Sequence, residues 1–205
     1  MKKITIVDYG SGNVLSAQKS FIKIAKDNNI EVDVLISNKL DDIKNSTHIV
    51  LPGQGAFSTC MNGLKKTDGL IDELCEFALI KKKPFLGICV GMQMLANMSE
   101  ENGVHEGLGW IDGQIKLLPG DNLKLPHMGW NLAIPTNSKY NNLISNKNDY
   151  YFVHSYYFDC ANKDNILAET KYGINFASIV GKENIYGVQF HPCLLYTSPS
   201  PRDDE

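Results

Sequence analysis

The chain has 205 residues, 43% of them apolar and 21% charged, and it sets 20 basic against 23 acidic side chains. This composition excludes a disordered polymer, and a net charge of −3 excludes a nucleic-acid binder held by bulk charge. No window of eighteen uninterrupted apolar residues exists, so no helical membrane span is expected. The opening Met1-Lys2-Lys3 followed by an apolar run imitates a signal peptide. The run stops at Asp8, too short for such a segment, and Ile4 to Val7 reads as a first, buried β-strand. The loop Asp8 to Asn13 follows, with Asn13 as helix N-cap, and Val14, Ala17, Phe21 and Ile24 recur on one helical face. Val32, Val34 and Ile36 alternate as a second strand. His48 to Leu51 is a third, ending at Pro52-Gly53-Gln54-Gly55. Leu70, Leu74, Phe77 and Ala78 mark a helix, Pro84 to Ile88 a fourth strand, and Val90 to Met98 a helix directly behind it. Strands separated by helices predict a doubly wound α/β fold with a mostly parallel sheet.

After about Gly103 the pattern becomes β-rich: Trp110 to Leu118, Asn131 to Ile134, Tyr150 to Phe158 and Ile166 to Lys171. A hairpin joins Phe176–Val180 to Ile185–Phe190 through residues 181–184. These runs are expected to add antiparallel strands to the sheet. With no internal repeat and no linker, residues 1–192 read as one domain. Residues 193–205 carry no helical or strand period and read as an atypical tail.

The chemistry concentrates at Gly87-Ile88-Cys89-Val90-Gly91, which is G-x-C-x-G between an apolar strand and a helix. A tight strand-to-helix turn strains the nucleophile, lifts it above the sheet, and places its sulfur at a helix N-terminus, where the partial positive charge favours thiolate. Cys60, Cys75, Cys160 and Cys193 lack such a setting, and an odd number of scattered cysteines with no C-x-x-C pair indicates neither a disulfide framework nor a zinc ribbon. A reduced, cytoplasmic setting follows as the expectation. The base for Cys89 is expected to be His191, which emerges at the end of the strand Ile185 to Phe190. His48 reads as structural and His105 as a solvated loop residue. No H-x-x-x-H or H-E-x-x-H spacing exists, so neither a metal nor a cofactor is expected.

Pro84 to Gln93 together with Gly187-Val188-Gln189-Phe190-His191-Pro192 resembles the class I glutamine amidotransferases, which hydrolyse glutamine with a Cys-His-Glu triad on a flavodoxin-like α/β fold. Three further runs, Asp8 to Asn13, Leu51 to Phe57 and Pro126-His127-Met128-Gly129-Trp130-Asn131, are similar to the glutaminase subunits of imidazole glycerol phosphate synthases. The resemblance covers residues 1–192 and assigns roles by position. Cys89 attacks the glutamine carboxamide and His191 activates the thiol and protonates the leaving ammonia. The Val90 N–H and the strand holding Gly53 and Gly55 form the oxyanion hole, and Gln93, His154, Ser155 and Tyr156 hold glutamine. Asn13, Met128, Trp130 and Asn131 face a partner, a (β/α)8-barrel cyclase subunit in a heterodimer, which receives the ammonia for histidine biosynthesis. Such an exposed tryptophan in a polar, turn-prone run suits an interface anchor.

The family pattern continues His-Pro-Glu, whereas position 193 is Cys and position 194 Leu. The tail reads as translated foreign sequence, with a genuine variant lacking the triad carboxylate as the alternative. Three functions therefore stand at this level: the glutaminase subunit described, an amidotransferase subunit serving another ammonia acceptor, and a triad-deficient homologue that only docks its partner.

Overall fold

The computed structural model describes residues 1–120, 123–140 and 149–191. Pro192, Cys193 and the atypical tail lie outside the described residues. In chain order the first half comprises β1 (Lys2–Val7), α1 (Val14–Asp27), β2 (Val32–Ser37), α2 (Leu40–Lys44), β3 (His48–Gly53), α3 (Phe57–Lys65), α4 (Leu70–Cys75) running into a π-helical turn (Glu76–Ile80), β4 (Phe85–Cys89) and α5 (Val90–Gln93). The second half adds β5 (Met98–Ser99), β6 (His105–Glu106), β7 (Gly113–Leu117), β8 (His127–Leu132), β9 (Ile134–Pro135), β10 (Asp149–His154), β11 (Tyr156–Cys160), β12 (Ile166–Tyr172), β13 (Ile174–Lys182) and β14 (Ile185–Val188).

The main sheet runs β2-β1-β3-β4-β14-β13-β12-β9. Its first five strands are mutually parallel, and β13, β12 and β9 extend it antiparallel. The order 2-1-3-4 followed by a returning strand is the flavodoxin-like doubly wound arrangement. Ligands in such sheets bind beyond the carboxyl ends of the parallel strands. Ile6, Val7, Ile49, Leu51 and Phe85 fill the core between sheet and helices, joined by Phe57, Leu64, Leu70, Leu74 and Phe77. A second core under β8 and β10 gathers Tyr150, Phe152, Phe176, Ile179 and Phe190. Among the described residues no helix is long and apolar enough to cross a membrane.

Several boundaries differ from the sequence expectation. Asn13 does cap α1, its side chain accepting from the Ser16 N–H at 3.1 Å. Ala25, not Ile24, completes the buried stripe of that helix; Ile24 is 39% exposed. Tyr150 to Phe158 is two strands, β10 pairing with β8 and β11 with β7 in separate sheets. The helix expected over Val90 to Met98 stops at Gln93. Its continuation fails because the carbonyls of Met94, Leu95, Ala96 and Asn97 are taken instead by the N–H groups of Leu108, Trp110, Gly109 and Gly107, all at 2.8–2.9 Å. His105 is not in a solvated loop: it stands in β6, half-buried, with a buried Nε2.

Candidate active site

Three loops meet at the carboxyl end of the parallel strands: that after β1, that after β3, and the turn from β4 into α5. At the last, Cys89 has φ 56° and ψ −114°, a left-handed backbone that a non-glycine residue adopts only where its surroundings impose it. The imposition comes from packing against β3. A Cβ at Gly91 would stand 1.8 Å from the Leu51 carbonyl oxygen, so only glycine lets the elbow sit this close. Gly53 plays the reciprocal part, since a Cβ there would meet the Gly91 nitrogen at 2.6 Å.

A cavity of about 250 Å³ opens above the elbow, lined by Gln54, Gly55, Cys89, Val90, Gln93, Glu101, Val153, His154, Ser155, Tyr156 and His191. Cys89 and His191, 102 positions apart in sequence, thus share one cavity. His191 is held there through its backbone N–H, which donates to the Tyr151 carbonyl at 3.0 Å, and burial lowers its pKa. A neutral imidazole is the form that can accept a thiol proton. Of the expected glutamine-holding set, Gln93, His154, Ser155 and Tyr156 all line this cavity, as do Val90 and Gly55. Gly53, the last residue of β3, is not among the lining residues and packs against Val90 and Gly91 of α5.

The end of β3 and the loop after it are tied down from the β1 loop. The Tyr9 hydroxyl donates to the Pro52 carbonyl, and the Ser11 hydroxyl donates to the Gln54 carbonyl at 2.9 Å. Gly55 follows with φ +85° and open space where a Cβ would be. The other described cysteines stay apart from this chemistry. Cys60 is fully buried beside Ser11, and burial pushes the Cys75 thiol up and that of Cys160 up to about 12.

Sequence reading missed two polar residues of the site. Glu101 lines the cavity while its carboxylate accepts the Phe57 N–H at 2.7 Å, at the start of α3. Gln189 is fully buried; its Nε2 lies 3.8 Å from the Cys89 sulfur, and its Oε1 accepts from Gln93 Nε2 at 3.0 Å. Glu101 lies 44 residues from the amide it binds, so no local pattern announces it. Gln189 was not legible either: β14 ends at Val188, and the bends at 189 and 190 that turn Gln189 toward Cys89, 100 residues away, follow no strand alternation.

The expected partner-facing run is a strand, β8, not a turn, and its alternation divides the set. Met128 is 62% exposed. Trp130, on the same face, is half-buried and packs edge-on against Tyr151 with ring centroids 5.6 Å apart. Asn131 points to the opposite face, where its Nδ2 donates to the Lys171 carbonyl at 3.1 Å and meets His127 Nε2 at 3.3 Å. His127 and His154 are both buried, and burial pushes each pKa down to about 4. Asn13 is exposed at the start of α1.

A strained cysteine at a strand-to-helix turn thus shares one cavity with a histidine on a flavodoxin-like sheet. The family model for class I glutamine amidotransferases matches residues 5–198, and the chain belongs to that family. Among relatives, the imidazole glycerol phosphate synthase subunit HisH of Pelagibacter ubique is 46% identical over 192 residues, spanning 92% of this chain and 91% of its own. Subunit HisH 2 of Methanococcus maripaludis is 45% identical over the same shares, and subunit HisH of Rhodospirillum rubrum 40% identical over 93% and 91%. Among solved structures, a glutamine amidotransferase superposes with a TM-score of 0.66 at 15% identity over 93% of this chain and 90% of its own. One from Thermotoga maritima gives 0.59 at 18% identity over 99% and 83%. At those identities the structures bear on the fold alone.

Proposed function

We propose that this chain is the glutaminase subunit of an imidazole glycerol phosphate synthase, with residues 1–192 as its catalytic domain and residues 193–205 as an appended tail. The observation that carries the reading is Cys89 at positive φ in one cavity with His191, in a chain 46% identical to a relative named for that enzyme. His191 takes the thiol proton and the Cys89 sulfur attacks the carboxamide carbon of glutamine. The Val90 N–H and the backbone around Gly55 hold the oxyanion. The C–N bond breaks as His191 returns the proton to nitrogen, and ammonia leaves behind a Cys89 thioester. Water then cleaves the thioester, releasing glutamate and the thiol. Gln93, His154, Ser155 and Tyr156 hold the substrate, and Glu101 offers a negative charge to its α-ammonium group.

The ammonia passes to a cyclase subunit of (β/α)8-barrel form in a cytoplasmic heterodimer; no cofactor enters this half of the reaction. Met128 and Trp130 supply the docking face, and Asn13, exposed at the start of α1, is a further partner-facing residue. A second reading, a subunit that docks but does not turn over, is favoured by Cys193 standing where the resemblance expects the triad glutamate.

One experiment separates them. The chain, with the cyclase subunit present, is treated with the glutamine analogue diazo-oxo-norleucine, and glutamate release is followed in parallel. Labelling of Cys89 alone by peptide mapping, with turnover that the cyclase raises, is the expected result. Labelling without turnover supports the docking subunit. Label on Cys60, Cys75, Cys160 or Cys193 overturns the assignment of the nucleophile.

A further inference from the structure

A hydrogen-bond chain crosses the molecule from β8 to the nucleophile, and the chemistry of its ends fixes its direction. At the outer end, the Asn131 side chain accepts the Leu132 N–H on Oδ1 at 2.9 Å and donates from Nδ2 to the Lys171 carbonyl. Its amide orientation is therefore set, and Nδ2 must also donate where it meets His127 Nε2 at 3.3 Å. An accepting Nε2 leaves the His127 proton on Nδ1, which faces His154 Nε2 at 3.1 Å. An accepting Nε2 on His154 likewise leaves its proton on Nδ1, which lies 2.9 Å from the Tyr156 carbonyl oxygen. That oxygen can only accept, so the inner end demands the same tautomer independently.

From Tyr156 the chain reaches the reacting atom. The Tyr156 carbonyl also accepts from Gln93 Nε2 at 3.0 Å, and the second proton of that amide goes to Gln189 Oε1 at 3.0 Å. Gln189 is thereby oriented with Nε2 toward the Cys89 sulfur at 3.8 Å. His127 touches neither sulfur nor cavity. It is locked in place by stacking on Tyr172, centroids 4.0 Å apart, and on Phe152 at 5.0 Å. Its strand neighbours Met128 and Trp130 are the residues read above as the docking face.

Resting on that reading, we propose that His127 is a positioning residue through which docking on β8 acts on the nucleophile. The inward relay Asn131–His127–His154 ends on the Tyr156 carbonyl and holds that oxygen in place; Gln93 donates to the same oxygen and orients Gln189, whose Nε2 faces Cys89. Displacing β8 shifts His127 and, with it, the donor offered to the sulfur.

The test has two arms. Imidazole 15N shifts of the intact chain at pH 7 should show both His127 and His154 neutral and protonated on Nδ1. An Nε2-protonated form or an imidazolium at either position overturns the relay. In the second arm, alkylation of Cys89 by a chloroketone analogue of glutamine is timed with and without the cyclase subunit and imidazole glycerol phosphate. His127→Phe keeps the stacked ring and removes both hydrogen bonds. It should cut the partner's acceleration at least tenfold while partner affinity stays within about threefold. His127→Asn restores a donor at the Nδ1 position and should retain most of the acceleration. If the Phe variant does not fold, His127→Gln, whose amide reaches the Nε2 rather than the Nδ1 position, takes its place with the same expected loss. Acceleration in His127→Phe equal to the parent's, or equal loss in both variants, overturns the proposal while leaving the glutaminase reading intact. A parent that the cyclase does not accelerate overturns the pairing itself, and this inference with it.

Discussion

At the scale of single residues, the site is organised around the backbone of Cys89. Positive φ in a non-glycine residue costs on the order of 1–3 kcal/mol, and the surroundings must hold it there. The contact doing so is the Leu51 carbonyl against Gly91. Gly91→Ala should therefore destabilise the fold by about 3 kcal/mol or more in urea unfolding, because the Cβ can be accommodated only by prising α5 from β3. A loss below about 1 kcal/mol would show that the elbow is not clamped by this contact. Cys89 and His191, the residues proposed to react, were legible because each carries a local signal: glycines spaced around Cys89, and an apolar run ending just before His191. Glu101, Gln189 and the relay role of His127 were not, because their partners are remote in sequence and only the folded chain brings them together. Asn131 stands on the face of β8 opposite Trp130, an alternation that a polar, turn-prone reading around Trp130 does not show.

At the scale of elements, β8 and β10 form a two-stranded ribbon pinned on its inner side by aromatic rings and a pair of imidazoles. Both His127 and His154 titrate near 4 in the fold against 6.5 in an unfolded chain. Between those values the unfolded state binds protons that the folded state refuses. Stability is thus complete above about pH 6.5 and lost as pH falls toward 4, on the order of 3 kcal/mol for each imidazole. His191, lowered by burial too, acts in the same direction. The melting temperature should fall steeply from pH 6.5 to pH 4.5, and His127→Phe should flatten that fall by removing one of the titrating groups. An unchanged slope in the variant would mean that the imidazole pair is not what acid attacks. Most elements of the first half followed from apolar periods; α2 and α3, short helices at Leu40–Lys44 and Phe57–Lys65, did not. The length of α5 did not, since it is set by the 107–110 segment competing for the carbonyls of residues 94–97.

At the scale of the whole molecule, the parallel half of the sheet supplies the nucleophile and the β-rich half supplies the surface beside it. Among the hydrogen bonds that tie the two, the His191 N–H donates to the carbonyl of Tyr151, and the Tyr151 ring is the one on which Trp130 packs. The docking face proposed at Met128 and Trp130 thus adjoins His191, the proposed base, through the β10 backbone, whereas Asn131 on the other side of β8 belongs to the proposed relay. These two faces predict two separable phenotypes. Trp130→Ala removes a half-buried aromatic whose described ring contact is Tyr151 alone, so the free chain should lose only about 1 kcal/mol of stability. A central aromatic anchor contributes about 2 kcal/mol or more to an interface, so affinity for the cyclase subunit should drop about 30-fold by calorimetric titration. The rate at which the glutamine analogue alkylates Cys89 in the uncomplexed chain should stay near the parent's, because the ring reaches His191 only through a main-chain carbonyl that alanine scanning at 130 leaves in place. Affinity unchanged within threefold, together with a large loss of stability, would make Trp130 a core residue and move the docking surface off β8.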